Sequence, residues 1–284
     1  MPRARRKTSQ SALAPVWSIP SLREPRYSQS LERGLAILGC FTAQRPVLGI
    51  ADIADELGMS RSSTHRYAIT LLALGYLEQD KDRKYRLGLR VTALGMSALN
   101  ATGLGEHAHP ILEELCRQTG LSTSVAVLDG SEVVYVDRVR GWRPGQNRLD
   151  RGLGAGSRLP GDCTALGKIL LAHIPERERR KLLSHTPLKR TGPKTIMSES
   201  RLRAELEQAR EEGFAIEDQE YASELIAIAA PVRNATGEIV AAIDISTDTL
   251  MMRVEELANA LRPHLLVAAD RVSARLGYRR GNER

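Results

Sequence analysis

Apolar residues follow a helical spacing just after residue 49, recurring at positions i, i+3, i+4 and i+7. They are Ile50, Ile53, Ala54 and Leu57. This pattern predicts an amphipathic helix. Gly58 predicts its end, because glycine adopts positive φ without a Cβ clash. Ser60 predicts the N-cap of a second helix, because its hydroxyl can accept a backbone N–H bond.

The second predicted helix has an apolar face, expected to pack on the first helix, and a polar face. Arginine, serine and histidine side chains suit phosphate oxygens and the acceptor-rich edge of guanine in a major groove. The pattern therefore predicts a DNA-reading helix-turn-helix. The residues that we assign to DNA contact on this helix are Arg61, Ser62, Ser63, His65 and Arg66.

Two short strands, Tyr76–Gln79 and Lys84–Leu87, are predicted to form a hairpin around residues 80–83. Its tip carries Lys81, Arg83 and Lys84, where the wing of a winged helix-turn-helix contacts the DNA backbone or minor groove. The alternative interpretation is a surface helix followed by an ordinary polar hairpin. It requires the turn, the polar face and the basic hairpin to coincide without a common cause.

The remaining pattern predicts an α+β protein with four segments. Residues 1–29, rich in Pro, Ser and Arg, are predicted to be a disordered basic arm. Residues 30–90 form the winged helix-turn-helix, with Ser30 as N-cap of its first helix, and residues 91–106 form a linker helix. Residues 107–284 mix helices with antiparallel hairpins, one of them at Asp129–Gly130.

The arm carries a cluster of cations, Arg3, Arg5, Arg6 and Lys7. Such a cluster either reaches into a DNA groove or only solubilises the chain. The linker helix is expected to pair with its copy in a second subunit. The glycines within it weaken that helix, and Gly103–Gly105 is a candidate hinge.

Charge supports nucleic acid as the partner. Of 284 residues, 42% are apolar and 4% aromatic, and the net charge is +7. Residues 1–90 hold 15 Lys and Arg against 8 Asp and Glu, so they carry the whole excess. DNA attracts such a segment through counterion release, and a membrane surface is the competing partner. No lipidation signal or amphipathic basic helix favours the membrane.

The cysteines fit a reducing cytoplasm. Cys40, Cys116 and Cys163 are odd in number and far apart, so they predict neither a disulfide framework nor a metal pair. No apolar run reaches the roughly 18 residues of a spanning helix. We therefore expect a cytoplasmic protein with no metal and no cofactor.

Six segments together resemble the IclR-type transcriptional regulators. They are SLERGLAIL, IADIADELGMSRSSTHRYAITLLALGYL, YRLG, LPGDCTALGKILLA, GFAIEDQEY and IAIAAPVRNATGEIVAAIDIS, spread from about Ser30 to Leu276. The LPGDCT segment is most similar to regulators of aromatic-acid catabolism, such as those of the β-ketoadipate pathway.

The resemblance implies a winged helix-turn-helix, a linker helix and a C-terminal effector domain with a GAF/PAS-like sheet. It implies homodimers, often paired into tetramers on double-stranded DNA. It also implies a small carboxylate or aromatic acid as effector and, since such regulators are not enzymes, no catalytic residues.

The resemblance also implies an effector site between the sheet and the helix that begins near Thr164. Backbone N–H groups at a helix N-terminus bind anions, here those around Thr164, Ala165 and Leu166, and the Thr164 hydroxyl is a further candidate donor. The other pocket positions carried over from the family are Glu217, Leu225, Ala227, Asp244 and Ser246.

Two of these positions depart from the common pattern. Ala227 stands where many members carry cysteine, and Asp244 where Ser or Asn is common. A buried Asp244 would repel a carboxylate ligand or donate to it when protonated. It therefore recognises a ligand hydroxyl or amine, or faces away. Arg138 is a candidate counter-ion for an acidic effector, and a surface arginine on an edge strand is its alternative.

Other chemistries remain as rivals. Cys163 precedes a helix N-terminus, where a thiolate is favoured, so a redox-responsive regulator is one alternative. An enzyme acting on a small acid is another. The Gly152, Gly154 and Gly156 spacing does not match a phosphate-binding loop. His107 and His109 lack a partner cluster and are interpreted as polar helix-end residues.

Overall fold

The computed structural model describes residues 27–42, 45–143 and 152–279. The chain divides into two compact units at Ser97 and Ala98, and each is described by itself. The predicted basic arm, with its cluster of cations at residues 3–7, lies outside the described residues.

The first unit contains three helices followed by a two-stranded antiparallel hairpin. Ser28, rather than Ser30, caps the first helix through its hydroxyl, so the predicted start was two residues late. The elements are α1 (Gln29–Gly39), α2 (Ile50–Leu57), α3 (Arg61–Ala73), β1 (Leu77–Gln79) and β2 (Tyr85–Leu87).

The turn between α2 and α3 is built as its residues predict. Gly58 adopts a φ of 62°, and Ser60 Oγ accepts the N–H of Ser63 at 3.1 Å. The core beneath the turn contains Ile53 and Ala68, both fully buried. A helix-turn-helix followed by a hairpin is therefore confirmed.

Two helices follow the hairpin, α4 (Leu89–Asn100) and α5 (Leu104–Thr119). The prediction of one helix across residues 91–106 was wrong. Gly103, with a φ of 63°, precedes α5 in a left-handed conformation that interrupts a helix. The glycine signal at residues 103–105 therefore marked a break, and α5 begins three residues before the predicted domain boundary.

The second unit contains a six-stranded antiparallel sheet in the order β5-β4-β3-β8-β7-β6. Its strands are β3 (Ser122–Asp129), β4 (Glu132–Val139), β5 (Arg158–Pro160), β6 (Ala215–Asp218), β7 (Leu225–Arg233) and β8 (Ile239–Asp248). Its further helices are α6 (Ala165–His173), α7 (Glu176–His185), α8 (Glu199–Glu212) and α9 (Val254–Arg275). The predicted α+β class with an antiparallel sheet is confirmed.

Each face of the sheet supports its own core. On one face, side chains such as Ile228 and Ile243 pack against α5 and α9. On the other, small residues such as Ala227 and Ala242 lie beneath α6 and α8. Because successive residues of a strand point to opposite faces, side chains alternate between the two cores except where the register between strands shifts.

Candidate DNA-reading and effector-binding sites

The helix α3 exposes the side chains that the sequence assigned to DNA. Arg61, Ser62, His65 and Arg66 are exposed, while Thr64 and Ala68 are buried against the rest of the unit. Ser63 differs, because it is half-buried and its Oγ accepts the Ser60 hydroxyl at 2.9 Å. Four side chains of the predicted five are therefore presented to solvent on the reading helix.

The hairpin tip also presents its cations. Lys81, Arg83 and Lys84 are all exposed. Asp80 Oδ1 shapes the tip by accepting the N–H groups of Asp82 and Lys84, each at 2.9 Å. Three positive charges at the end of a hydrogen-bonded turn suit the DNA backbone.

The predicted effector residues share one face of the second unit's sheet. Glu217, Ala227 and Ser246 are aligned across β6, β7 and β8, so they form one row. Asp244 pairs with Ser124 and Ala229 in the adjacent row and is buried, so it does not face away. Leu225, at the start of β7, alternates with Ala227 onto the same face.

Arg138 lies over this face rather than on the surface. Its Nη1 donates to Ser124 Oγ at 2.6 Å, and its Nη2 lies 3.4 Å from Ser246 Oγ. The interpretation of Arg138 as a surface arginine was therefore wrong. The guanidinium extends from β4 across β3 to β8, which places a positive charge beside Asp244 and Ser246.

Tyr135 is a site residue that the sequence did not indicate. It is buried on the same face, and the Arg138 guanidinium carbon lies 5.8 Å from its ring centroid. Burial raises the pKa of its phenol, so the hydroxyl stays protonated. Strict alternation along β4 would have placed Tyr135 and Arg138 on opposite faces.

The N-terminus of α6 lies over the same core cluster. Thr164 Oγ1 accepts the N–H of Gly167 at 3.2 Å and donates to Pro160 O at 2.8 Å. The expectation of a Thr164 hydroxyl free for a ligand was therefore wrong, because its single proton is already donated. The N–H groups of Ala165 and Leu166 lie in the first turn, where a helix supplies no carbonyl partner.

Two glycines fix the position of α6. A Cβ on Gly167 would overlap the Cα and carbonyl of Gly161. The helix backbone therefore contacts the preceding loop directly. This contact fixes where the first-turn N–H groups are presented.

Glu217 is a fully buried carboxyl at the β6 end of the row. Its Oε1 accepts the N–H of Glu220 at 2.9 Å and of Tyr221 at 3.1 Å. Its Oε2 is buried and has no hydrogen-bond partner among the described residues. Burial raises the pKa of Glu217 from 4.5 to about 8, so the carboxyl is mainly neutral at pH 7.

A buried ion pair supports the loop after β6. Lys168 Nζ lies 2.5 Å from Glu220 Oε1, and Lys168 is only 2% exposed. Thr191 and Thr195 both donate their hydroxyls to the carbonyl of Glu220. A lysine within the otherwise apolar segment ALGKILLA was the available sequence signal for this pair.

Cys163 does not have the properties of a redox sensor. It is 1% exposed, and burial raises the pKa of its thiol to about 12. The expected stabilisation of a thiolate near the helix N-terminus was wrong, because desolvation outweighs it.

The described residues contain no group of His, Cys, Asp or Glu arranged to hold a metal ion. His109 instead lies 2.6 Å from Asp137, and this contact raises the pKa of the imidazole. None of the described helices has the length and apolar character needed to span a bilayer.

Comparisons with known proteins agree with both units. Residues 30–81 match the IclR helix-turn-helix domain, and residues 96–274 match the bacterial transcriptional regulator IclR C-terminal domain. The chain belongs to the IclR family. The family consists of transcriptional regulators, so the chain is a DNA-binding regulator and not an enzyme.

Curated relatives in this family cover nearly the whole chain. The HTH-type transcriptional regulator XynR of Escherichia coli is 35% identical over 88% of this chain and 98% of its own length. The p-hydroxybenzoate hydroxylase transcriptional activator of Acinetobacter baylyi is 34% identical over 91% of this chain and 95% of its own.

A solved IclR homologue from Microbacterium hydrocarbonoxydans, in complex with 4-hydroxybenzoate, shows the same fold. It has a TM-score of 0.73 and 28% identity, and the match covers 87% of this chain and 98% of that one. Small-molecule binding therefore occurs in at least one homologue of this fold.

Proposed function

We propose that the chain is a transcriptional regulator whose DNA affinity is controlled by a small carboxylate bound beneath α6. The observation that supports this most directly is the position of Arg138. Its guanidinium is held by Ser124 and Ser246 over a row of buried polar groups. A guanidinium can donate charge-assisted hydrogen bonds to a carboxylate, so this position suits an acidic effector.

The effector class that fits best is an aromatic acid, with control of a catabolic operon as the biological role. The small side chain of Ala227 lies on this face of the sheet, together with Leu225 on the same strand and the ring of Tyr135 on β4. A flat ring with a carboxylate at one end fits these features. One relative regulates p-hydroxybenzoate hydroxylase and one solved homologue holds 4-hydroxybenzoate, which supports the same class.

We assign DNA contact to Arg61, Ser62, Ser63, His65 and Arg66 on α3. We assign backbone or minor-groove contact to Lys81, Arg83 and Lys84 in the wing. Residues 30–90 would form the DNA reader, and the basic arm before them would add charge. Effector contact is assigned to the backbone N–H groups around Thr164, Ala165 and Leu166. It is also assigned to Arg138, Glu217, Leu225, Ala227, Asp244 and Ser246.

A homodimer, with a dimer of dimers as the larger assembly, is part of the proposal. Two half-sites on one face of DNA increase affinity and selectivity. Helix α4 exposes Leu89, Leu94 and Met96, and Leu89 is 82% exposed. Leu89 and Met96 are seven residues apart and lie on one side of α4, and their exposure supports pairing with a second copy in the cytoplasm.

The experiment is a fluorescence-anisotropy titration of the full chain with its own upstream DNA. It is done with and without benzoates found by a thermal-shift screen of aromatic and aliphatic acids. An effector coupled to DNA binding changes the DNA Kd roughly 5- to 150-fold. Absent or salt-independent DNA binding, or a bound acid that leaves the Kd unchanged, contradicts the proposal.

A further inference from the structure

We propose that Glu217 recognises the far end of the effector as a neutral carboxylic acid, donating a hydrogen bond from Oε2 to an acceptor atom of the ligand. The inference depends on the proposed function, since it concerns the same site. It adds a second requirement to the effector: an acid with a hydrogen-bond acceptor opposite its carboxylate.

The strand register places Glu217 and Arg138 at opposite ends of the proposed effector site. Arg138 Nη2 lies 3.4 Å from Ser246 Oγ, and Ser246 is in one row with Ala227 and Glu217. Adjacent strands are about 4.8 Å apart, so Ser246 and Glu217 are separated by roughly 10 Å at the backbone. Only Ala227 stands between them in this row, so a ligand lying along the row would meet a polar group at each end.

The hydrogen bonds of Glu217 leave one oxygen for a ligand. Oε1 is used by two backbone N–H groups, whereas Oε2 has no partner among the described residues. A buried carboxyl oxygen without a partner is costly, and a ligand atom would satisfy it. Because Oε1 already accepts two N–H donors, the proton of the neutral acid belongs on Oε2, where it can be donated.

The surrounding charges favour the neutral form. Lys168 is the cation that lowers the pKa of Glu217, but its ammonium is bonded to Glu220, whose own carboxyl raises that pKa. Desolvation is the largest influence and brings the pKa to about 8. The other titratable groups around this part of the site are Tyr221, Cys163, Tyr135 and Asp244, and burial raises the pKa of the first three.

Two ligands of equal shape test the donor directly. In 4-cyanobenzoate the far end is a nitrile acceptor, and in 4-ethynylbenzoate a C–H group replaces the nitrile nitrogen. Calorimetry with the full chain at pH 6.5 should show that 4-cyanobenzoate binds at least roughly fivefold more tightly than 4-ethynylbenzoate, because one net hydrogen bond contributes about 1 kcal/mol. Its affinity should fall about tenfold at pH 9, because ionised Glu217 can no longer donate. The affinity of 4-ethynylbenzoate should be the same at the two pH values.

Glu217→Gln separates the two protonation states. Its amide donates at every pH, so the variant should retain the preference for the nitrile and lose the pH dependence. Glu211→Gln, the same change at an exposed position of α8, should behave like the unaltered chain.

A measurement on the unaltered chain keeps the test independent of that variant's folding. Near pH 8, binding of 4-cyanobenzoate should take up about half a proton, measured from calorimetry in buffers of different ionisation enthalpy. Proton release, equal affinities for the two ligands, or an affinity that rises with pH overturns the inference while the effector site stands. If neither benzoate binds, the proposed aromatic-acid function itself fails.

Discussion

Arg138 and Tyr135 lie three residues apart on β4, yet both side chains lie on the face of the sheet beneath α6. The register between β3 and β4 shifts here, since Val125 pairs with Asp137 and Ala126 with Tyr135. Val136 is therefore an extra residue, and it packs on the opposite core. This bulge places the side chains of Tyr135 and Arg138 on the same face of the sheet. Bulges often have this role beside binding sites.

Arg138→Gln is expected to weaken binding of an acidic effector by roughly 10- to 100-fold, because a charge-assisted hydrogen bond contributes about 1.5–3 kcal/mol. DNA binding by the ligand-free protein should be unchanged. Calorimetry with 4-hydroxybenzoate, paired with a DNA titration, measures both effects. Arg117→Gln serves as the control, because Arg117 is an exposed residue of α5. Equal ligand affinity in the two variants would show that Arg138 is not the counter-ion.

Arg66→Ala is expected to lower DNA affinity by about 1–3 kcal/mol if the guanidinium reads a base. If it contacts a phosphate, the salt slope should fall by about one. Effector binding should not change, because Arg66 belongs to the first unit. Anisotropy titrations at several salt concentrations measure the slope, with Arg203→Ala on α8 as control. Loss of effector binding in Arg66→Ala would contradict the separation of roles.

Local signals predicted most of the fold, and non-local contacts explain what was missed. Gly58 and Ser60 set the turn before α3 through their own conformations, so the sequence shows it directly. By contrast, β5 follows a glycine-rich loop and spans only Arg158–Pro160, too short for any periodicity. It exists because β4 offers it a pairing edge.

The effector site was predictable as a set of positions but not as a geometry. Asp244 and Ser246 are two residues apart on β8 and lie on one face, as regular alternation requires. Tyr135 was missed because a bulge interrupts the alternation on β4. A bulge cannot be predicted from any single residue type. The Thr164 hydroxyl is used by Pro160, four residues earlier, and this local contact depends on the conformation of the loop before α6.

Cys163 is expected to be unreactive in the folded protein. With a thiol pKa of about 12, the thiolate fraction at pH 7 is on the order of 1 in 10⁵. Native alkylation with iodoacetamide, read by mass spectrometry, should therefore leave Cys163 unmodified, whereas urea should expose it. Treatment with peroxide should not change DNA affinity. Rapid native labelling of Cys163, together with a peroxide response lost in Cys163→Ser, would restore the redox alternative.

Glu217 should make the ligand-free protein less stable as pH rises from about 4.5 to 8. The folded protein holds this proton up to about pH 8, while the unfolded chain releases it near 4.5. The folded state therefore binds more protons in that interval, and the free energy of unfolding decreases by up to about 1.4 kcal/mol per pH unit.

Glu217→Gln removes this contribution. The free energy of unfolding of the variant minus that of the unaltered chain should therefore increase by roughly 2–3 kcal/mol from pH 5.5 to pH 7.5. Urea denaturation followed by circular dichroism measures the difference, and Glu211→Gln should show none. A difference that stays constant with pH would mean that Glu217 is ionised in the folded protein.

Gly167→Ala is expected to destabilise the second unit by roughly 2–3 kcal/mol or more, since the new methyl would overlap the Gly161 backbone and neither backbone can yield cheaply. The displacement of α6 should also weaken effector binding, because its first-turn N–H groups would move. Gly34→Ala provides the opposite expectation: its Cβ meets no atom within 4 Å, and alanine favours a helix by about 1 kcal/mol. Thermal unfolding and calorimetry of both variants measure the effects. An unchanged unfolding temperature and effector affinity in Gly167→Ala would show that the Gly161–Gly167 contact does not position α6.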